Sequence, residues 1–284
     1  MDRADGARGW GLDRHLHLHR LEDHERVALL DGLADLALDL PDGSGDVGLD
    51  IGQRNDLLIA GSGTISRVPA VIVTAWNEAD RLADTLRALR RAFPDARVVV
   101  ADDASTDATP HIALQEGVDL VRAPARLGKG GVANLALERL RMDGTLPDLL
   151  LADGDLGASA DLLAGLVGKG DFVVAVFSKR VGGGFGLARG FAGWAIKRLT
   201  GLEPRAPISG QRYLSARAAA AVTPFAPGFG MEIGMTVDGH RAGLRLTEVE
   251  LDLEHRATGK TAPGFIHRAR QLRDFLRVYL ARRG

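Results

Sequence analysis

Residues 68–78, VPAVIVTAWNE, set a short β-branched run directly against a polar turn. Val71-Ile72-Val73 has the composition of a strand buried on both faces, as strands inside parallel sheets are. Reading outward, the same unit recurs. Asn77-Glu78-Ala79-Asp80 opens a helix that carries Leu82, Leu86 and Leu89 at helical spacing and closes at Phe93-Pro94. Residues 96–101 (ARVVVA) predict a second strand, Asp107-Ala108-Thr109 a helix start, 118–121 a third strand, 128–141 a helix and 149–152 a fourth strand. Strands alternating with helices at this spacing predict an α/β fold, a mostly parallel central sheet with right-handed crossovers and flanking helices. Farther on, the pattern predicts helix 159–168, strand 172–177, a Gly182-Gly183-Gly184 turn, a helix bearing Phe191, Trp194, Ile196 and Leu199, a strand near 244–250, and a last helix over 264–282. On that last helix Phe265, Ala269, Leu272, Leu276 and Tyr279 predict an apolar stripe packed on the core, with arginines opposite.

Composition bounds the function. The 284 residues are 45% hydrophobic and 26% charged, with net charge −1, so no global field recruits nucleic acid. The absence of cysteine excludes disulfides, thiol catalysis and thiolate metal sites. A metal here must be held by carboxylate or imidazole, which favours hard or borderline dications. No apolar run approaches the roughly 18–20 residues of a spanning helix, and the N-terminus lacks the apolar stretch of a signal peptide. The expected compartment is the cytoplasm. Composition shifts near residue 66, dividing an acidic N-terminal arm (1–66) from the rhythmic domain (67–284), itself split into halves at 160 and 161. The arm reads as a lid, a dimer contact or a disordered segment. Its His15-Leu16-His17-Leu18-His19 alternation reads as a solvated edge strand in preference to a metal site, because no second ligand cluster accompanies it.

In open α/β sheets ligands sit at the carboxyl ends of the strands, and four polar clusters fall there. Thr74-Ala75-Trp76-Asn77-Glu78 follows the first strand and Asp102-Asp103-Ala104-Ser105 the second. Arg126-Leu127-Gly128-Lys129-Gly130 follows the third and Asp153-Gly154-Asp155 the fourth. Two aspartates flanking a glycine suit a hard dication shared with phosphate oxygens. Gly128-Lys129-Gly130 offers a cation and close backbone approach at a helix N-terminus, where phosphate is favoured. It lacks P-loop spacing, so ATPase chemistry is not supported.

VIVTAWNE, VVVADDASTDAT, RLGKGG and LLLADGDLG together resemble the nucleotide-binding half of the GT-A glycosyltransferases, over about residues 68–160. PISGQRYLSARAAAAVTPFAPGFGMEIGM (207–235) and His255-Arg256 narrow the resemblance to the glucosyl-3-phosphoglycerate synthases and their relatives, retaining enzymes that use UDP-glucose with Mg2+ or Mn2+. The resemblance implies Asp155 and His255 as metal ligands with Asp153 in the same motif. It also implies Thr74, Trp76, Glu78, Asp102, Asp103, Lys129 and Asp153 around the nucleotide sugar, and Glu232 beside the donor sugar or acceptor hydroxyl. Gly183 and Gly184 would meet the acceptor. In those enzymes an arginine and then a threonine follow the triple glycine and hold the acceptor's phosphate. Here Phe185, Gly186 and Leu187 stand there, which implies an acceptor other than 3-phosphoglycerate, with Arg189 as a candidate substitute contact.

Rivals stay open on the residues alone. One is an inverting enzyme loading a polyprenyl phosphate, its terminal helix resting Arg268, Arg270, Arg273 and Arg277 on anionic lipid. Another is a sugar-phosphate nucleotidyltransferase, suggested by the Gly61–Arg67 loop, although that loop precedes the first strand where it should follow it. A binding module with a decayed site is the third.

Overall fold

The computed structural model describes residues 68–141, 146–178, 186–254 and 262–283. The readings made on the 1–66 arm, the Gly61–Arg67 loop, the triple glycine with Gly183 and Gly184, and His255 lie outside these residues.

Seven strands build one sheet: β1 Ala70–Ala75, β2 Val98–Asp102, β3 Asp119–Arg122, β4 Leu149–Asp153, β5 Phe172–Phe177, β6 Arg212–Leu214 and β7 Leu246–Leu251, in the order β3-β2-β1-β4-β6-β5-β7. All run parallel except β6, which lies antiparallel between β4 and β5. The expectation of a mostly parallel α/β sheet holds. Sequence reading missed β6, which is short and begins on a charged residue. Arg212 at its head is fully buried, its Nε donating to the Ser209 carbonyl (2.9 Å) and its Nη1 to Thr236 Oγ1 (3.0 Å). Asp148 pins the strand's far end, accepting from Tyr213 Oη and from the Ala216 amide, both at 2.7 Å.

Because successive side chains alternate across a strand, each strand feeds two cores. Ile72, Val99, Leu149 and Leu151 pack under helices α3 (Lys129–Leu140), α5 (Ala216–Val222) and α6 (Met231–Arg241). Val71, Val73, Val100 and Leu150 pack under α1 (Leu82–Ala92) and a 3-10 segment, Gly157–Leu166, where an α-helix over 159–168 was expected. Helix α2 (Thr109–Gln115) leads from β2 to β3. A third, smaller cluster joins α4 (Gly186–Thr200), α6 and α7 (Ala262–Ala281) through Ile196, Ile233, Phe275 and Val278.

Helix α7 corrects one expectation. Gln271, Phe275, Val278 and Tyr279 form its buried face, whereas Leu272 and Leu276, expected in the core stripe, are 50% and 45% exposed. The strand registers meanwhile align the polar clusters. Thr74 stands opposite Asp153 and Ala75 opposite Asp102, so one edge of the sheet collects them.

Candidate active site

At that edge lies a cleft of about 290 Å³, whose walls include Thr74, Trp76, Glu78, Asp103, Lys129, Asp153, Asp155 and Glu232. Eight of the residues singled out from sequence therefore converge in one place. Lys129 is the hub. It is the first residue of α3, and its ammonium lies 2.5 Å from Asp153 Oδ1 and 3.1 Å from Glu232 Oε1. Burial alone would depress its pKa, but the Asp153 and Glu232 carboxylates outweigh that and hold it above the ordinary lysine range. Burial likewise works to raise the Asp153 carboxyl. The Lys129 charge and hydrogen bonds from Lys129, Gln211 and Thr74 reverse that and leave it below the usual carboxylate range. The two shifts run in opposite directions, each favouring the charged form, as an ion pair requires.

Glu232 sits in the first turn of α6, almost wholly buried, behind the Gly228-Phe229-Gly230 turn. Beneath it, burial pushes the Arg212 guanidinium down to about 10 while the Glu232 and Glu248 carboxylates oppose the drop. Trp76 stands 43% exposed at the mouth with the Arg126 guanidinium 3.6 Å above its ring centre, a cation–π stack.

Two placements revise the sequence reading. Asp102 is fully buried away from the cleft, accepting from the Ser105 amide and paired with Arg122 Nε at 3.2 Å. Its carboxylate closes the β2 turn and does not line the cleft. Asp103 does line the cleft, but it accepts from the Leu127 amide (2.7 Å), the Gly128 amide (3.1 Å) and Arg126 Nε (2.8 Å). The Gly128 amide, just ahead of α3, is thus gripped by an internal anion. Gly130, read as room for a ligand, is room for protein instead, since a Cβ there would meet the Ala226 carbonyl at 1.8 Å. Arg189 is exposed and donates to the Arg205 carbonyl, not to the cleft.

Four residues at the site were not singled out from the sequence. Thr85 of α1, fully buried, donates to the Gly154 carbonyl (2.9 Å) and accepts from the Gly157 amide (2.8 Å). Arg81 donates to the Asp155 carbonyl (2.9 Å) and meets Glu254 at 3.6 Å. These two hold the Asp153–Asp155 turn from below. Gln211 donates to Asp153 Oδ2 (3.0 Å), and Gly210 lets the Lys129 ammonium lie against bare backbone. Thr85→Val keeps the shape but leaves a buried carbonyl and amide unsatisfied. It should cost about 1–3 kcal/mol in a denaturant melt, and an unchanged midpoint would show that α1 does not hold the turn.

Among the described residues no three His, Cys, Asp or Glu side chains gather into a metal-binding group. The donor chemistry nevertheless fits a hard dication, because Asp153 and Asp155 both face the cleft as oxygen donors. Magnesium in particular is commonly held by one or two carboxylates plus substrate phosphates, without an all-protein cage.

A parallel sheet with a single reversed strand thus places a carboxylate-rich cleft at its strand ends. Residues 70–188 match the family model of glycosyl transferase family 2. It is 29% identical over 209 residues to the undecaprenyl-phosphate mannosyltransferase of Micrococcus luteus, spanning 67% of this chain and 85% of that one. Among solved structures it resembles glucosyl-3-phosphoglycerate synthase of Mycobacterium tuberculosis. The form with Mn2+, UDP and glucosyl-3-phosphoglycerate has TM-score 0.61 at 23% identity, over 76% of this chain and 80% of that one. The form with Mn2+, UDP-glucose and glycerol 3-phosphate has TM-score 0.60 at 24% identity and the same coverage.

Proposed function

We propose that this chain is a cytoplasmic, metal-assisted glycosyltransferase that takes a UDP-sugar, UDP-glucose by its resemblance, and delivers the sugar to an acceptor other than 3-phosphoglycerate. The observation that carries this is the convergence of Asp153, Asp155, Lys129, Glu232 and Trp76 on one cleft at the strand ends.

In this reading Asp155, with Asp153 on the same turn, would hold Mg2+ or Mn2+. His255 would join them by the family resemblance, and Arg81, bonded to Asp155 and paired with Glu254, ties the preceding residue to that turn. When bound, the dication offsets the charge that develops on the departing diphosphate. The chain's own residues do the rest. Trp76 offers a ring face to the base, with Arg126 able to move from ring to phosphate. Thr74, Glu78 and Asp103 border the nucleotide. Lys129 fixes Asp153 and Glu232 in place and supplies the positive charge between them. Glu232 accepts a hydrogen bond from the donor sugar or the acceptor hydroxyl. Gly183 and Gly184 would border the acceptor by resemblance, whereas Arg189 has no place in this scheme.

Asp155→Ala should lower Mn2+-dependent UDP-sugar hydrolysis at least about tenfold, measured across UDP- and GDP-sugars with and without the metal. Unchanged metal-dependent turnover would overturn the assignment of the turn.

A second reading, transfer to a polyprenyl phosphate, is favoured by the mannosyltransferase relative. The two share the cleft and differ in acceptor and stereochemistry, so the configuration of the product's anomeric centre, read by NMR, separates them.

A further inference from the structure

Helix α7 has two faces with different tasks. Gln271 and Phe275 point inward and line the cleft. Outward, Leu272, Leu276 and Leu280 stand 50%, 45% and 53% exposed, one helical turn apart. A soluble helix docked on a core does not ordinarily leave such a row to water. Its borders are specific. On one side Tyr279 leads to Trp194 of α4, itself 51% exposed, with ring centres 5.0 Å apart. On the other side Arg273 and Arg277 are exposed and line a small hollow beside Leu127. Asp274, the carboxylate of this stretch, is half-buried; it accepts from the Phe229 amide and pairs with Arg273 at 3.3 Å, so it offsets part of the Arg273 charge while Arg277 stays exposed.

We propose that the outer face of α7, with Trp194, docks this protein on an anionic lipid bilayer. The leucines would enter the acyl boundary, Trp194 would sit at headgroup level, and Arg273 and Arg277 would meet lipid phosphates. The charge of the face selects this occupant, since it pairs an apolar row with cations and exposes no carboxylate between 272 and 283. No described helix is long and apolar enough to cross a membrane, so the contact is peripheral. As the same helix walls the cleft, docking brings the transfer site to lipid-linked acceptors. That last step rests on the glycosyltransferase reading; the docking itself does not.

The test uses the full chain and vesicle sedimentation without nucleotide. Wild type should pellet with phosphatidylglycerol–phosphatidylcholine vesicles, several-fold less with phosphatidylcholine alone or in 1 M salt, where charges are screened within about 3 Å. The triple variant L272Q/L276Q/L280Q should lose about tenfold or more of that binding, and R273Q/R277Q should lose its dependence on anionic lipid. Both variants should keep wild-type melting and wild-type UDP-sugar hydrolysis in solution. Failure of wild type to pellet, or undiminished pelleting of the triple variant, overturns the proposal. So does a dimer in light scattering that only the triple variant breaks, which would make a second copy the occupant. Pelleting without any donor hydrolysis would leave docking standing and sink the transfer reading; hydrolysis without pelleting would do the reverse.

Discussion

Lys129→Met is expected to lower the stability of the fold by about 3 kcal/mol and to reverse the sign of its pH dependence in the acid range. Lys129 lies 2.5 Å from Asp153 and 3.1 Å from Glu232, with Glu232's side chain 7% exposed and Asp153's 30%. Removing the cation leaves two carboxylates facing one gap in a poorly hydrated place. Breaking a buried pair in this way costs about 3–5 kcal/mol, and the partial exposure of Asp153 places the effect at the lower end. In the wild type the folded lysine pKa is raised above its ordinary value of 10.5. Its contribution is therefore complete below that value and is lost as pH climbs through the folded pKa. The folded Asp153 pKa is depressed below 3.8, so its contribution is complete above that value and is lost as pH falls through the folded pKa. Wild-type stability from this pair should thus hold flat between those limits. In Lys129→Met the carboxylates repel, one takes up a proton more readily than in the unfolded chain, and the variant should gain stability on acidification toward about pH 4–5. Urea melts at pH 5 and pH 7.5 measure this. A variant that melts in parallel with wild type at both would show that the ammonium is not what holds the two carboxylates.

Gly210→Ala should lower donor turnover about 100-fold while costing less stability than Lys129→Met. A methyl at that position would fall 1.9 Å from the Lys129 ammonium and 2.9 Å and 3.1 Å from the Asp153 carboxylate oxygens. Backbone just ahead of β6 and its buried Arg212 cannot retreat easily, but the end of a lysine can. Lys129 would swing aside but its charge would stay near both carboxylates, so the stability loss should be smaller than in Lys129→Met. The bridge between Asp153 and Glu232 would be broken all the same. A fall in kcat with a melting midpoint between those of wild type and Lys129→Met is the expected pair of results. Full activity in Gly210→Ala would show that the lysine works from another position, and a collapsed melt would show that the loop, not the lysine, bears the strain.

Why these two residues differ in legibility follows from what each contributes. Lys129 announces itself, as a cation between glycines after a strand. Gly210 contributes the absence of an atom, and only the coordinates of Lys129 give that absence meaning. The same divide runs through the fold. The strands carrying Val71–Val73, Val98–Val100, Leu149–Leu151 and Phe172–Phe177 are continuous apolar runs, because burial on both faces leaves no position for a polar residue, and sequence located them within a residue or two. Strand β6 defied that rule, since its three residues begin with an arginine satisfied by carbonyls and Thr236. Thr85 and Arg81 look like ordinary surface helix residues, and only tertiary contact reveals that they grip the acidic turn. On α7 two stripes compete. Leu272 and Leu276 look the more hydrophobic, but the helix buries the neighbouring stripe of Gln271, Phe275 and Val278, whose polar member weakens the signal. Asp102 and Asp103 are indistinguishable in sequence, yet the pleat sends one inward to Arg122 and the other to the cleft.

Gly130 and Gly230 have a mechanical consequence. A Cβ on Gly130 would strike the Ala226 carbonyl at 1.8 Å, and one on Gly230 would strike Val278 at 2.1 Å. Helix α3 therefore abuts the backbone at 226, and the 228–230 turn receives the Val278 side chain of α7, with no room for a further side chain at either contact; interiors packed this tightly transmit displacement instead of absorbing it. Such a stack behaves as a single stiff lever. Force applied to the outside of α7 reaches the base of the Lys129 side chain with almost no slack, while the compliant part of the rim is left to Trp76 and Arg126 across the gap.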